Sequence, residues 1–169
     1  MWYTKNGDDG YTDLADGERV AKDSRRIEAL GSLDEATSCI GAARALVGTE
    51  AGALLKRVQR ELILVMAEVA SPDPLALRER LPESAVPALE ADIDRVAAGV
   101  PPLTDFVLPG GTPAGAALDV ARTVVRRAER RLVTLLHHGE LAGDHLVHYL
   151  NRLSSLLYFM ARAEDEKKA

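Results

Sequence analysis

Arginine side chains concentrated in one segment are the residues best suited to chemistry in this sequence. Five of its 21 lysines and arginines lie there: Arg122, Arg126, Arg127, Arg130 and Arg131. At about 100° per residue of an α-helix, Arg122 and Arg126 fall at the edge of an apolar face, with Glu129 beside them. Such arginines need an anionic or hydrogen-bonding partner to offset the loss of water. A ligand phosphate and an ion pair within or between subunits explain the placement equally well, whereas the other three arginines are predicted to lie on the solvated side.

A glycine-bearing N-terminal segment is the second candidate for ligand binding. Gly7 and Gly10 allow successive backbone N–H groups to face one concavity, which can hold a phosphate. Further donors lie nearby: Thr4, Lys5, Thr12, Arg19 and Lys22. Three carboxylates would repel a bare triphosphate unless a cation such as Mg²⁺ lies between: Asp8, Asp9 and Asp13. Neither a Walker A loop nor a G-x-G-x-x-G pattern is present, and a Gly/Asp-rich turn is often only a turn.

Helices must position these groups. Aromatic residues make up only 4% of the chain, and its apolar content is mostly Ala, Leu and Val, which favours helices over sheets. After a non-helical arm over residues 1–23, apolar periodicity and stop signals predict five helices, at about 24–47, 50–70, 83–98, 113–138 and 141–164, and a short helix at 75–79. The fourth helix begins at an N-cap Thr112 followed by Pro113. The prediction is an all-α five-helix bundle over residues 24–166, in a single domain over 1–169.

The fourth helix also has a predicted buried face. Its apolar arc comprises six residues: Val124, Val125, Ala128, Leu132, Leu135 and Leu136.

Composition excludes several classes of function. The net charge of −5 offers no basic excess for a nucleic-acid partner. A single cysteine, Cys39, allows no intrachain disulfide. No apolar run is long enough to span a membrane or to act as a signal peptide, so we expect a cytoplasmic protein. Four histidines lack the carboxylate pattern of a metal site in a bundle, and no protein-held metal is predicted: His137, His138, His145 and His148.

Three separated motifs resemble those of one family, the PduO-type ATP:cob(I)alamin adenosyltransferases. The first is YTKNGDDGYTDL followed by GERVAKDSRRIEALGSLDE, the second is FVLPGGTP followed by ARTVVRRAERR, and the third is YLNRLS. They occur in the family's order and spacing over nearly the whole chain, which is far more specific than any one motif alone.

The resemblance implies a five-helix, ferritin-like bundle that assembles into a homotrimer with active sites at the subunit interfaces. The implied substrates are ATP with Mg²⁺ and a reduced cobalamin or related corrinoid. The 5′-deoxyadenosyl group of ATP would move to cobalt and triphosphate would leave. A reductase and a cobalamin-dependent acceptor enzyme are the further partners that such a reaction suggests.

The resemblance also assigns roles to individual residues. Those of the arm that match the ATP-binding motif are: Thr4, Lys5, Gly7, Asp8, Gly10, Thr12, Arg19 and Lys22. Arg126 of the fourth helix matches the arginine that binds the triphosphate, and Asp34 and Arg122 match an ion pair between subunits.

Three further matches complete the implied site. Glu129 matches an acidic residue near ATP, and Asn151 matches an asparagine near both nucleotide and cobalamin. Phe106 matches the aromatic residue that packs against the corrin face. Arg126, Asn151 and Phe106 are thus the residues implied to act in catalysis.

The sequence departs from the usual family pattern at several positions: Asn6, Tyr11, Ala36, Thr37, Leu64, Met66 and Ser155. Ser155 stands one turn from Asn151 where Asp is usual, so a carboxylate that could orient an arginine is absent there. The departures at Leu64, Met66 and Ser155 motivate a second hypothesis, that the protein holds ATP or adenosylcobalamin as a delivery or sensing module without turnover. A purely structural helical trimer is a third.

Overall fold

Five α-helices form the framework of the chain. The computed structural model describes residues 5–14, 17–71, 73, 75, 77–102 and 105–167. Within them the helices are α1 (Arg25–Arg44), α2 (Thr49–Ala70), α3 (Ala85–Ala97), α4 (Pro113–His137) and α5 (His145–Glu166). The five-helix prediction is confirmed. None of the helices in this described part has the length and apolarity that crossing a membrane requires.

Helix α4 occupies the centre of the bundle, because it packs along both α1 and α5, while α2 packs on α1 and α3 packs on α5. Thr112 caps it as predicted, accepting a hydrogen bond from the Gly115 N–H at 2.9 Å. Five residues of the predicted apolar arc are buried: Val124, Val125, Ala128, Leu132 and Leu135. The sixth, Leu136, is only partly buried. The buried face fixes the rotation of α4 and therefore decides where its arginines point.

Two arginines predicted to lie on the solvated side of α4 form surface ion pairs with α1. Arg127 pairs with Glu35, and Arg131 pairs with Glu28 at 3.2 Å. Both arginine side chains are nearly half exposed, as expected for residues on the solvated side of α4. These pairs also show that α1 and α4 run antiparallel, since the residue earlier in α1 meets the residue later in α4.

A small β-hairpin in the arm was not predicted. Strand β1 (Tyr11–Asp13) pairs antiparallel with β2 (Arg19–Ala21), with Thr12 opposite Val20. Strands of three residues are too short to show the alternation of apolar and polar residues by which strands are recognised.

The short helix predicted at 75–79 was wrong for the described residues of that stretch. Leu75 and residues 77–80 contain no α-helix. A segment of five residues cannot offset the cost of helix nucleation. Just beyond it, Glu68 holds the chain by accepting a hydrogen bond from the Leu81 N–H at 2.7 Å.

A buried tyrosine gives the bundle a testable stability determinant. Tyr149 is fully buried, and its hydroxyl donates to Glu61 Oε2 at 2.7 Å. Burial, with the nearby Glu61 carboxylate, raises the pKa of this hydroxyl, which therefore remains a neutral donor. We expect Tyr149→Phe to lower the free energy of unfolding by about 1–3 kcal/mol, because Glu61 loses a hydrogen bond inside the bundle.

Urea denaturation of Tyr149→Phe measures this loss, and Tyr11→Phe is the matched control because Tyr11 is about half exposed. Equal unfolding midpoints for the two variants would show that the Tyr149–Glu61 hydrogen bond contributes nothing.

Candidate functional site

A pocket on the surface between α4 and α5 brings the two edge arginines together. It has a volume of ≈ 220 Å³ and is lined by six residues: Arg122, Arg126, Ser154, Ser155, Tyr158 and Phe159. Arg126 is exposed, and among the described residues it forms no hydrogen bond or ion pair. A guanidinium that faces solvent at the rim of a pocket without an internal partner is available to an anionic ligand.

Arg122 has a partner that sequence analysis missed. Its Nε donates to Asp119 Oδ1 at 2.9 Å, one turn earlier in α4, and its side chain is 24% exposed. Asp34 of α1 is exposed and makes no ion pair with another described residue. The predicted Asp34–Arg122 pair joins two subunits, so a single chain leaves it a prediction.

Behind the pocket, the buried Arg162 guanidinium lies between two carboxylates, those of Asp119 and Asp165. Asp119 Oδ2 accepts a hydrogen bond from Arg162 Nη2, and both residues are less than 5% exposed. The same Arg162 nitrogen lies 3.2 Å from Asp165 Oδ2, and its guanidinium carbon is 5.6 Å from the centroid of the Tyr158 ring. The sequence did not predict this cluster. The feature that could have indicated it is Asp119, a charged residue between Leu118 and Val120 in an otherwise apolar stretch of α4.

Asn151 and Glu129 are brought into direct contact. Asn151 Nδ2 donates to Glu129 Oε1 at 3.0 Å. Asn151 Oδ1 accepts a hydrogen bond from Arg152 Nη1 at 2.9 Å, and Arg152 Nε donates to Glu90 Oε1 at 2.8 Å. This chain of hydrogen bonds across α4, α5 and α3 fixes the orientation of the Asn151 amide one turn below Ser155.

Phe106 extends from the loop before α4 and is completely exposed, at 106% of its reference area. The structure therefore does not bring it together with the arginine pocket in one chain. The end of its loop is anchored, because the Thr112 N–H donates to Asp165 Oδ1 at 2.8 Å. A β-carbon at Gly111 or Gly115 would collide with the same Asp165 carboxylate, so glycine is required for this close approach.

The arm is held in shape by its own cations. Arg19 Nη2 donates to Asp9 Oδ2 and to the Asn6 carbonyl, each at 2.7 Å, and Arg19 Nη1 donates to Asp13 Oδ1 at 3.2 Å. The hydrogen bond from Arg19 is the largest cause that lowers the pKa of Asp9. Arg19 thus neutralises two of the three carboxylates that were expected to require Mg²⁺, and its role as an ATP contact stays a prediction.

Glycines shape the turn of the arm. The Lys22 ammonium donates to the Gly7 carbonyl at 2.7 Å, and a β-carbon at Gly7 would lie 2.8 Å from Lys22 Nζ. Gly10 has a φ of +85°, where side chains are strained, and its carbonyl accepts from the Lys22 N–H at 2.9 Å. Lys5 also has a positive φ, of 63°. Lys22 therefore contacts the turn that begins at Lys5.

The remaining arm residues have less defined surroundings. Asp8 is exposed and forms no ion pair with another described residue, and Thr12 lies half-buried in β1. The predicted contact at Thr4 lies outside the described residues.

Two of the four histidines each contact one carboxylate. His145 Nε2 lies 3.0 Å from Glu68 Oε2, and His148 Nε2 lies 3.6 Å from Asp144 Oδ2. Within the described ranges, no group of three or more His, Cys, Asp or Glu side chains could hold a metal ion.

Known proteins resemble this chain over almost all of its length. Residues 2–164 match the sequence profile of the family described as cobalamin adenosyltransferase. The corrinoid adenosyltransferase PduO of Citrobacter freundii is 43% identical over 96% of this chain, which spans about half (49%) of that relative. The corrinoid adenosyltransferase of Mycobacterium tuberculosis strain H37Rv is also 43% identical over 96% of this chain, and 88% of that relative is covered.

A solved structure matches the fold equally well. A variant PduO-type ATP:corrinoid adenosyltransferase from Lactobacillus reuteri, complexed with cobalamin and ATP, superposes with a TM-score of 0.89. It is 33% identical in sequence, and the match covers 98% of this chain and 91% of that one. The family profile, the curated relatives and this fold agree with the three motifs, and the chain belongs to the cobalamin adenosyltransferase family.

Proposed function

We propose that this protein transfers the 5′-deoxyadenosyl group of ATP to the cobalt of a reduced cobalamin or related corrinoid, giving the adenosylated corrinoid and triphosphate. One observation carries the proposal: Arg126 projects, without an internal partner among the described residues, at a pocket between α4 and α5. Membership of the cobalamin adenosyltransferase family supports this activity, and the relatives that the chain resembles are named as corrinoid adenosyltransferases.

The proposed site lies between subunits of a homotrimer. The arm of one subunit would hold ATP with Lys5, Lys22 and the backbone of the Gly7–Gly10 turn, and Arg126 of its neighbour would bind the triphosphate. Asp34 supports this arrangement, since it is exposed and has no ion-pair partner among the described residues. The terminal nitrogens of Arg122 are likewise not hydrogen-bonded within the described part of the chain, so they can meet Asp34 of an adjoining subunit.

The chemistry needs positioning and charge stabilisation rather than a general base. The electron pair of Co(I) forms the cobalt–carbon bond at C5′, and the bond from C5′ to the triphosphate oxygen breaks, with its electron pair leaving on triphosphate. Arg126 would stabilise this leaving group, and the Glu129-bound Asn151 amide would orient the nucleotide. Mg²⁺ bound to ATP would neutralise further phosphate charge, and Asp8, which forms no ion pair with another described residue, could face it.

Phe106 would act on the corrinoid. A cobalt ion is harder to reduce while an axial ligand donates electrons to it. An apolar ring packed against the corrin face excludes such a ligand. Its full exposure in the single chain suits this role, because it leaves the ring available to an incoming ligand.

The direct test mixes the purified protein with ATP, Mg²⁺ and chemically reduced cobalamin and follows the visible spectrum. Adenosylcobalamin should form at a rate proportional to protein concentration. ATP binding without this product would instead favour the delivery or sensing module, and neither binding nor product would refute both hypotheses.

The ion pair between subunits makes its own prediction. Asp34→Asn should raise the dissociation constant of the trimer about 10- to 100-fold, since truncating one partner of a buried interface pair leaves the other charge unpaired. Sedimentation velocity over a range of protein concentrations measures this change. The matched control is Glu35→Gln, which loses only an exposed pair with Arg127. Identical assembly of the two variants would exclude Asp34 from the interface.

A further inference from the structure

Asp119 lies between two arginines with different surroundings. On one side its Oδ1 accepts from Arg122 Nε at 2.9 Å, at the pocket. On the other its Oδ2 accepts from Arg162, which also contacts Asp165. Asp165 in turn accepts a hydrogen bond from the Thr112 N–H, at the first turn of α4. A continuous series of contacts therefore runs from the start of α4 to the rim of the pocket.

Stability alone does not explain the buried ion pair between Asp119 and Arg162. Arg162 is 3% exposed, and its Nε and Nη1 have no hydrogen-bond partner among the described residues. Burying a charged group with unsatisfied donors costs free energy, and well-packed apolar residues often stabilise a core as well as a buried ion pair does. Packing alone therefore does not explain the buried pair.

The pocket itself supplies no counter-charge to its arginines, since none of its six lining residues is acidic. Ser155, one turn after Asn151 in α5, directs its hydroxyl to the Asn151 carbonyl at 3.3 Å. The only described carboxylate that contacts Arg122 is Asp119, which is itself held from behind by Arg162. The direction of the Arg122 guanidinium is thus set by a buried group rather than by another residue of the pocket.

We infer that Asp119 is a positioning residue for the adenosyl transfer: clamped by buried Arg162, it holds Arg122 at Nε so that the terminal nitrogens of Arg122 face the subunit interface. This inference rests on the proposed function. Binding at Nε is the decisive feature, because it fixes the plane of the guanidinium while leaving its outer edge for a bidentate contact.

A double-mutant cycle between Asp119 and Arg122 tests the inference. Asp119→Asn should lower kcat about tenfold when Arg122 is present, and by less than about twofold in an Arg122→Lys background, where no Nε donor remains to be held. The KM for ATP of the single variant Asp119→Asn should change little, because the arm and Arg126 still hold the nucleotide. Asp94→Asn, an exposed carboxylate change on α3, is the control and should leave kcat unaltered.

Asp119→Asn also leaves Arg162 with the Asp165 carboxylate as its one remaining described ion-pair partner. The same cycle is therefore repeated in an Arg162→Met background, where the charges of Asp119 and Arg162 are removed together. A purely structural role would lower kcat by the same factor with Arg122 or Lys at position 122, and that result would overturn the inference. Wild-type protein without any turnover would refute the proposed function, and the inference with it. Turnover with additive effects would refute the inference alone.

Discussion

Replacing Arg126 by alanine should reduce kcat/KM for ATP about 10²- to 10³-fold, because one charge-assisted donor to a transition state contributes about 3–4 kcal/mol. The side chain is exposed and has no partner among the described residues, so its loss should leave the folded state almost unchanged. Steady-state kinetics with reduced cobalamin in excess measures the effect. A thermal melt of the same variant should coincide with that of the wild type.

Arg131→Ala is the matched control for this substitution. It lies on the same helix and is nearly half exposed, but its guanidinium pairs with Glu28 of α1, away from the pocket. Its kinetics should remain within about twofold of the wild type, as expected for a surface pair. Equal losses in the two variants would mean that positive charge on α4 matters only in a general way, and that Arg126 has no specific phosphate contact.

Phe106→Ala should bind ATP with unchanged affinity and yet lose at least about tenfold in kcat, because binding energy used only at the reacting centre appears in kcat. The ring is fully exposed in the chain, so truncating it removes no core packing. ATP affinity measured by calorimetry, together with kcat from the spectral assay, separates the two effects. A cobalamin that retains its axial ligand in the variant should be visible in the spectrum before reduction.

Leu108→Ala tests whether this effect is specific to the aromatic ring. Leu108 is also highly exposed on the same loop, so both substitutions remove a similar exposed apolar side chain. The proposed role requires a larger loss of kcat at position 106 than at position 108. Wild-type turnover of Phe106→Ala would end the idea that this ring excludes the axial ligand.

The helical framework was predictable because its signals are repeated many times along the chain. Each turn of α4 places another apolar residue on the buried face, and the cap Thr112–Pro113 marks its first turn unambiguously. The hairpin of the arm gave no comparable signal, because its strands are three residues long and are held by Arg19 and Lys22 instead of by an apolar face. A local pattern cannot reveal such long-range polar contacts.

The sequence predicted residues of the candidate site but not the contacts among them. The motifs identified Arg126, Asn151 and Glu129, and the structure shows the last two in contact. The sequence did not predict the contact between Asp119 and Arg162, because these residues are far apart in sequence and lie on two different helices. Sequence periodicity assigns a residue to a face, whereas its partner depends on how neighbouring helices are rotated and offset.

The central claim is that a nucleotide is held between the arm of one subunit and α4 of its neighbour, and subunit mixing tests it most directly. Chains carrying Lys22→Ala in the arm and chains carrying Arg126→Ala in α4 would be co-expressed with different tags. Each variant alone should be nearly inactive.

If the nucleotide is held between subunits, every site in a mixed trimer takes its arm and its arginine from different chains, and each mixed trimer contains one intact site of three. Random mixing should therefore restore about a quarter of wild-type turnover, as the cyclic arrangement of three equivalent interfaces requires. No recovery in purified mixed trimers would show that arm and arginine act within one chain, and would contradict the account.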